Sequence, residues 1–304
     1  MDRLIEKIKK TNNPTVVGLD PNLDLIPRFI KEKSFEDYGE NLQGAANSVL
    51  VFNKMIIDAL YDIVPAVKPQ SAYYEMLGYH GIEVLKETID YAKSKDMYVI
   101  LDGKRNDIGA TSTAYACAYL GKTVLSENNK QKAFGADSLT VNGYLGYDGI
   151  KPFAETFEKG KTIFALVKTS NKSSGELQDL ELKNGRKVYE EMAYLVDKWG
   201  KDSIGEYGYS KIGAVVGATY PEELKNVRKS NPNTYFLVPG YGAQGGTAKD
   251  VANAFNNDGL GAIVNSSRGI LYAYAKGNYK EMEFDIAARN EAIKMRDEIV
   301  SFIK

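Results

Sequence analysis

Eight short runs rich in β-branched and aliphatic residues recur along the chain, most of them followed by a longer amphipathic stretch, and this alternation constrains the fold more than any other feature. The runs are TVVGLD (15–20), VPAVKPQ (64–70), MYVILDGK (97–104), DSLTVNG (137–143), TIFALVKTS (162–170), KIGAVVGATY (211–220), TYFLVPGYG (234–242) and GAIVNSSR (261–268). They are mostly apolar rather than alternating, as expected of parallel strands covered on both faces. Eight strands, each succeeded by a helix, is the arithmetic of a (β/α)8 TIM barrel, an α/β fold. A doubly wound sheet is the alternative, and both architectures expose ligand-binding groups at the carboxyl ends of the strands. No Pro- or Ser-rich linker or shift of composition divides the chain, so residues 1–304 read as one barrel domain. Two connections, 21–40 and 171–210, are long enough to be functional, and the second contains an expected extra helix around GRKVYEEMAYLVDKWG.

Scarce residues narrow the chemistry. With 39 Lys+Arg against 40 Asp+Glu, a formal charge of −1 favours neither nucleic acid nor an anionic membrane as partner. The start, MDRLIEKIKK, is charged throughout and the longest clear apolar run is Ile163 to Val167, so neither a signal peptide nor a membrane span is expected and the chain should stay in the cytosol. One cysteine, Cys117, and one histidine, His80, cannot make an internal disulfide or a Cys/His zinc cluster. Cys117, in TAYACAYLG, reads as a small core hydrophobe and His80, in YHG, as a surface residue. Catalysis, if present, falls to Lys, Asp, Glu, Arg or bound ligands.

Asp102 and Lys104 in LDGK carry the strongest local signal. Side chains two apart on a strand point to one side, which aims a carboxylate and an ammonium into one pocket, either as chemistry or as an inward ion pair that fills the barrel end. Asp107 precedes the helical pattern IGATSTAYACAYL and by itself reads as an N-cap. Lys68 adds a second ammonium at the end of the second strand; Asp20 ends the first beside Pro21. Asn142, Lys168 with Ser170, and Thr219 fall at other strand ends. The turn PGYGAQGG matches G-x-G-x-x-G, but the next strand ends in Asn265-Ser266-Ser267-Arg268 without the acid that a dinucleotide ribose requires. A phosphate site after strands seven and eight fits better, with Gly-rich backbone N–H groups, Gln244 and Arg268 around the anion. No G-x-x-x-x-G-K-[ST] occurs, which disfavours ATP-type phosphoryl transfer. The loop KTSNKSSG (168–175) suits closure over a polar ligand.

Together VGLD, VKPQ, LDGKRNDIGAT, VPGYGAQGG and NSSRGI, in barrel-strand order over about residues 15–275, resemble the orotidine 5′-phosphate decarboxylase family, in its longer-chain branch. The D-x-K-x-x-D-I element alone is shared with metal-dependent sugar-phosphate decarboxylases; Lys68 and the phosphate loops narrow the choice. The resemblance implies cofactor-independent decarboxylation of orotidine 5′-monophosphate to UMP, with no metal, by a homodimer. It implies Lys68, Asp102, Lys104 and Asp107 as the catalytic tetrad, with Asp107, Ile108 and Thr111 delivered from the neighbouring subunit. Asp20 and Lys68 would hold ribose hydroxyls, Ser170 would face the pyrimidine, and Gln244 with Arg268 would grip the 5′-phosphate, Ser267 beside them. Asn142, Thr169 and Gln70 are further substrate-side carry-overs. The loop after strand five departs from the family's Ser-x-Pro-Gly type, since Ser170-Asn171 is followed by Lys172. Two other readings follow from the residues: a Schiff-base aldolase using Lys104 or Lys168, and a phosphosugar- or nucleotide-binding protein without turnover.

Overall fold

The computed structural model describes every residue except 158, 159, 278 and 304. All eight runs form parallel strands: β1 (Thr15–Leu19), β2 (Ala66–Pro69), β3 (Tyr98–Arg105), β4 (Ser138–Val141), β5 (Thr162–Lys168), β6 (Ile212–Val216), β7 (Phe236–Val238) and β8 (Ala262–Ser266). They close in the order β1-β8-β7-β6-β5-β4-β3-β2, which excludes the doubly wound sheet: β1 pairs with both β2 and β8. Helical segments follow every strand, among them Leu42–Leu60, Gly78–Ser94, Gly109–Tyr119, Pro221–Ser230 and the closing Phe284–Ile303. The extra helix of the long fifth connection is Val188–Gly200.

The prevailing apolarity of the strands has a simple cause, because most of them face two cores. Val17, Val67, Val99, Leu139, Ile163, Ala214 and Phe236 point outward into the layer shared with the helices. Val16, Ala66, Tyr98, Ile100, Phe164, Tyr235 and Ile263 fill the barrel interior. The N-terminal helix Asp2–Thr11 closes the lower mouth: Met1, Leu4, Ile5 and Ile8 join the interior cluster. Each such buried aliphatic side chain stabilises the fold by roughly 1.5–3 kcal/mol. Its charged residues occupy the remaining faces, so MDRLIEKIKK is an amphipathic plug as well as a charged start. With the lower half packed, the upper end is where a ligand can enter.

A hairpin of Thr123–Ser126 and Asn129–Gln131 stands outside the barrel. All seven of its strand residues are exposed. Among the described residues no helix is long and apolar enough to cross a membrane.

Candidate active site

The carboxyl ends of the strands surround a cavity of about 610 Å³, within the range that holds small-molecule ligands. Asp102 stands at its charged side and accepts from four side chains. Lys68 Nζ (2.8 Å) and Gln70 Nε2 (2.9 Å) donate to Oδ2; Lys104 Nζ (2.7 Å) and Thr140 Oγ1 (2.8 Å) donate to Oδ1. Lys68 is 4% and Asp102 8% exposed, whereas Lys104 projects into open space. Burial alone would raise the Asp102 carboxyl, but the ammonium groups of Lys68 and Lys104 outweigh it and hold the group well below the usual carboxylate range. Burial likewise opposes the charge on Lys68, and Asp102 with Asp20 more than offsets it, raising that ammonium above its ordinary value. Asp20 Oδ1 lies 4.0 Å from Lys68 Nζ.

The local backbone that makes this possible is irregular. Between the pairs Leu101↔Leu139 and Arg105↔Val141, β3 advances four residues while β4 advances two. Within that bulge Lys104 has φ 48°, the left-handed region, which costs a lysine on the order of 1–3 kcal/mol. Its N–H donates to Thr140 Oγ1 at 3.0 Å. Thr140 is one of two inward polar residues of β4, with Ser138, and the alternation SLTV is the signal from which it could have been found in the sequence.

The rest of the wall comes from the other strand ends. Asp20, the β8 residues Asn265 and Ser266, and Ser267 just beyond them line one side with Arg268; Thr169, Ser170 and Asn171 line another. Tyr272 Oη donates to the Asp20 carbonyl and accepts from Asn22 N–H, which fixes the loop behind Asp20. Gly18 permits β8 to close over β1, since a Cβ there would lie 1.9 Å from Ser267 Oγ. Asp20 Oδ1 and Asn265 Oδ1 are buried acceptors with no hydrogen-bond partner among the described residues, a signature of a wall shaped for ligand donors. Leu166, Val215, Leu237 and Pro239 give the same cavity an apolar face. Gln244 lines it from the turn after β7, where Gly240, Gly242 and Gly245 have φ of 101°, 70° and 101°. The N–H groups of Gly242, Gly245 and Gly246 bond within that turn, to Gly246, Gly242 and Gly240 carbonyls. Those three amides hold the loop's shape, and Arg268 and Gln244 line the cavity beside it.

Other expected site residues lie elsewhere. Asp107, Ile108 and Thr111 do not line their own chain's cavity. Asp107 Oδ1 accepts from Ile108 N–H, and the N-cap of helix Gly109–Tyr119 is Ile108, not Asp107. Ile108 is 63% exposed. Asn142 is exposed outside the cavity and its Oδ1 accepts from Tyr144 N–H, tightening the turn after β4. Lys168, expected in the mouth, is 0% exposed. Leu166 pairs with Val215 but Lys168 with Val216, and this bulge turns the lysine out of the barrel, onto Asp179 Oδ1 at 2.7 Å and against the rings of Tyr189 and Tyr220. That removes Lys168 as an imine former. His80 is half-buried in helix Gly78–Ser94, away from the cavity. Cys117 is half-buried rather than core, because helix Gly109–Tyr119 buries only Ser112 and Ala116. Among the described residues no group of three or more His, Cys, Asp or Glu side chains is placed to hold a metal ion.

A closed (β/α)8 barrel with lysines and carboxylates gathered at its strand ends, and Arg268 after β8, has the architecture of a barrel enzyme. Comparison with known proteins specifies which. The chain belongs to the orotidine 5′-phosphate decarboxylase / HUMPS family, whose profile matches residues 51–281. It is 44% identical over 285 residues, 93% of this chain and 92% of the relative, to the orotidine 5′-phosphate decarboxylase of Caldicellulosiruptor bescii. The same-named protein of Clostridium tetani is 43% identical over 304 residues, covering 100% of this chain and 98% of its own. The OMP decarboxylase structure from Leishmania donovani superposes with a TM-score of 0.75 at 28% identity, over 99% of this chain and 97% of that one.

Proposed function

We propose that this chain, a carboxy-lyase by family, converts orotidine 5′-monophosphate to UMP and CO2 in the cytosol as the last step of pyrimidine nucleotide synthesis, with no metal or organic cofactor. The observation that carries the reading is the Lys104 ammonium, held at 2.7 Å by a doubly clamped Asp102 and open to the cavity. The identity to relatives of that name supports the substrate.

The chemistry follows from what the residues can supply. When the C6–carboxylate bond breaks, its electron pair stays in an in-plane orbital at C6 that the pyrimidine ring cannot delocalise. A fixed positive charge beside that carbon stabilises the developing carbanion, and a proton donor at the same place completes the reaction. Lys104 does both: its ammonium gives a proton to C6, and the neutral amine is reprotonated from water. Asp102 fixes Lys104 and lies beside the departing carboxylate; Lys68 neutralises Asp102 from its other oxygen. Arg268 and Gln244 hold the 5′-phosphate, with Ser267 beside them, while Asp20 and Lys68 hold the ribose hydroxyls. Ser170 and Thr169 meet the base. Leu166, Val215, Leu237 and Pro239 exclude water from the reacting end.

The active form is a homodimer in which Asp107, Ile108 and Thr111 enter the partner's cavity, making Asp107 the fourth charge of the tetrad. This accounts for the exposure of the apolar Ile108. The function is tested by ultraviolet-monitored turnover of orotidine 5′-monophosphate in EDTA, with Lys104→Ala alongside. Conversion by the wild type alone is the expected result. Activity only after Mg²⁺ is restored would move the chain to metal-dependent chemistry, and none under either condition would overturn the reading.

A further inference from the structure

We propose that Thr140 is a positioning residue for this reaction, one that locks the Asp102 carboxylate and the Lys104 backbone into a single unit; the proposal rests on the decarboxylation reading above.

Thr140 is 1% exposed and sits on the inward face of β4, while its neighbours Leu139 and Val141 pack outward. A hydroxyl offers one proton and two lone pairs. Here the proton goes to Asp102 Oδ1 at 2.8 Å, and a lone pair accepts the Lys104 N–H at 3.0 Å. The same Oδ1 accepts Lys104 Nζ at 2.7 Å. Thr140, the Asp102 carboxylate and Lys104, through both its backbone and its ammonium, thus form a closed hydrogen-bonded ring.

The need for such a lock comes from the bulge. Regular pairing of β3 with β4 is interrupted between Leu101 and Arg105, so Lys104 N–H has no ladder carbonyl to use. The Thr140 hydroxyl stands in for that acceptor. Among the described residues only three non-glycines have positive φ, and the other two, Asn12 and Asp96, are of types that tolerate it. Lys104 is not, so its conformation depends on what surrounds it. Gln70 also donates to Asp102, at Oδ2, but bonds nothing on Lys104, so among the donors to Asp102 other than Lys104 itself only Thr140 joins the two. β-Branching adds to the effect by limiting the side chain's χ1 freedom, which Ser in its place would lack.

The experiment compares Thr140→Val, which removes the hydroxyl at nearly constant shape, with Thr140→Ser, which keeps it. Kinetics with orotidine 5′-monophosphate and a crystal structure of each variant are the readouts. For Thr140→Val, kcat is expected to fall about 10- to 100-fold with KM changed less than about 3-fold, as for a misplaced catalytic group. Lys104 should leave the left-handed region, and Thr140→Ser should recover most of the loss with φ still positive. A Val variant with kcat within about 2-fold of wild type and an unmoved Lys104, or a Ser variant as impaired as Val, would overturn the proposal. Should the wild type itself fail to turn over the substrate, the functional reading falls, and the lock is decided by the Lys104 and Asp102 conformations in the two variant structures.

Discussion

Asp102 and Lys104 are joined by a 2.7 Å ion pair that closes over a backbone bulge, so the ammonium is anchored at one end and presented to the cavity at the other. A regular strand would also direct both side chains to one side, but it would leave Lys104 without its left-handed turn toward Thr140. The pair also sets a pH signature. The Asp102 pKa in the folded chain lies below its unfolded value near 3.8, so the stability it contributes is complete above that value and is lost as pH falls through the lower folded pKa. The Asp102 carboxyl carbon, followed by carbon-13 NMR, should keep its ionised shift from pH 8 down to about pH 4. A carboxyl that titrates within that range would contradict the depressed value.

Arg268 is the cation at the proposed phosphate corner, with Gln244 lining the same cavity. Arg268→Ala should weaken UMP binding about 10- to 100-fold, the value of one charge-assisted hydrogen-bond pair, while uridine binding changes little. Calorimetric titration with both ligands checks this. Equal losses for UMP and uridine would place the phosphate elsewhere.

If Asp107 acts across a dimer, Lys104→Ala and Asp107→Ala should each be inactive alone yet complement when unfolded and refolded together. Random reassortment leaves one intact site in half of the dimers, so about a quarter of wild-type activity should return. No recovery from a mixture shown to contain hybrid dimers would contradict the shared site.

At the lower end of the barrel, the fully buried Asp137 gathers Arg3 at 2.7 Å, Lys93 at 2.9 Å and Lys161 at 3.9 Å. Burial pulls the Lys161 ammonium down to about 8, with Lys93 adding to the effect and Asp137 opposing it. Between that value and its unfolded 10.5 the unfolded chain binds more protons, so folding stability gains with rising pH. Wild type should therefore become more stable relative to Lys161→Met between pH 8 and 10, measured by denaturant midpoints. A constant difference across that range would refute the lowered pKa.

The sequence made the barrel legible because its parallel strands are buried on both faces and read as plain apolar runs, from Val16 and Val17 to Ile263 and Val264. It made Asp20, Lys68, Asp102, Lys104, Ser170, Gln244 and Arg268 legible as strand-end residues, and all seven line one cavity. What escaped depends on local register. The bulge at Leu166 to Lys168 reverses the direction of Lys168, and nothing in TIFALVKTS announces it. The hairpin 123–131 is exposed throughout and carries no buried pattern to detect. Thr140 and Asn265 look like ordinary strand residues until neighbouring strands bring them to the cavity.

In the proposed reaction Lys104 protonates C6 as CO2 departs. Turnover of orotidine 5′-monophosphate in D2O with EDTA, followed by NMR of the product, tests it most directly. UMP carrying one deuteron at C6 and one CO2 released per UMP are expected, and neither from Lys104→Ala. Unchanged substrate with the wild type, or C6-deuterated UMP formed by Lys104→Ala at the wild-type rate, would contradict it.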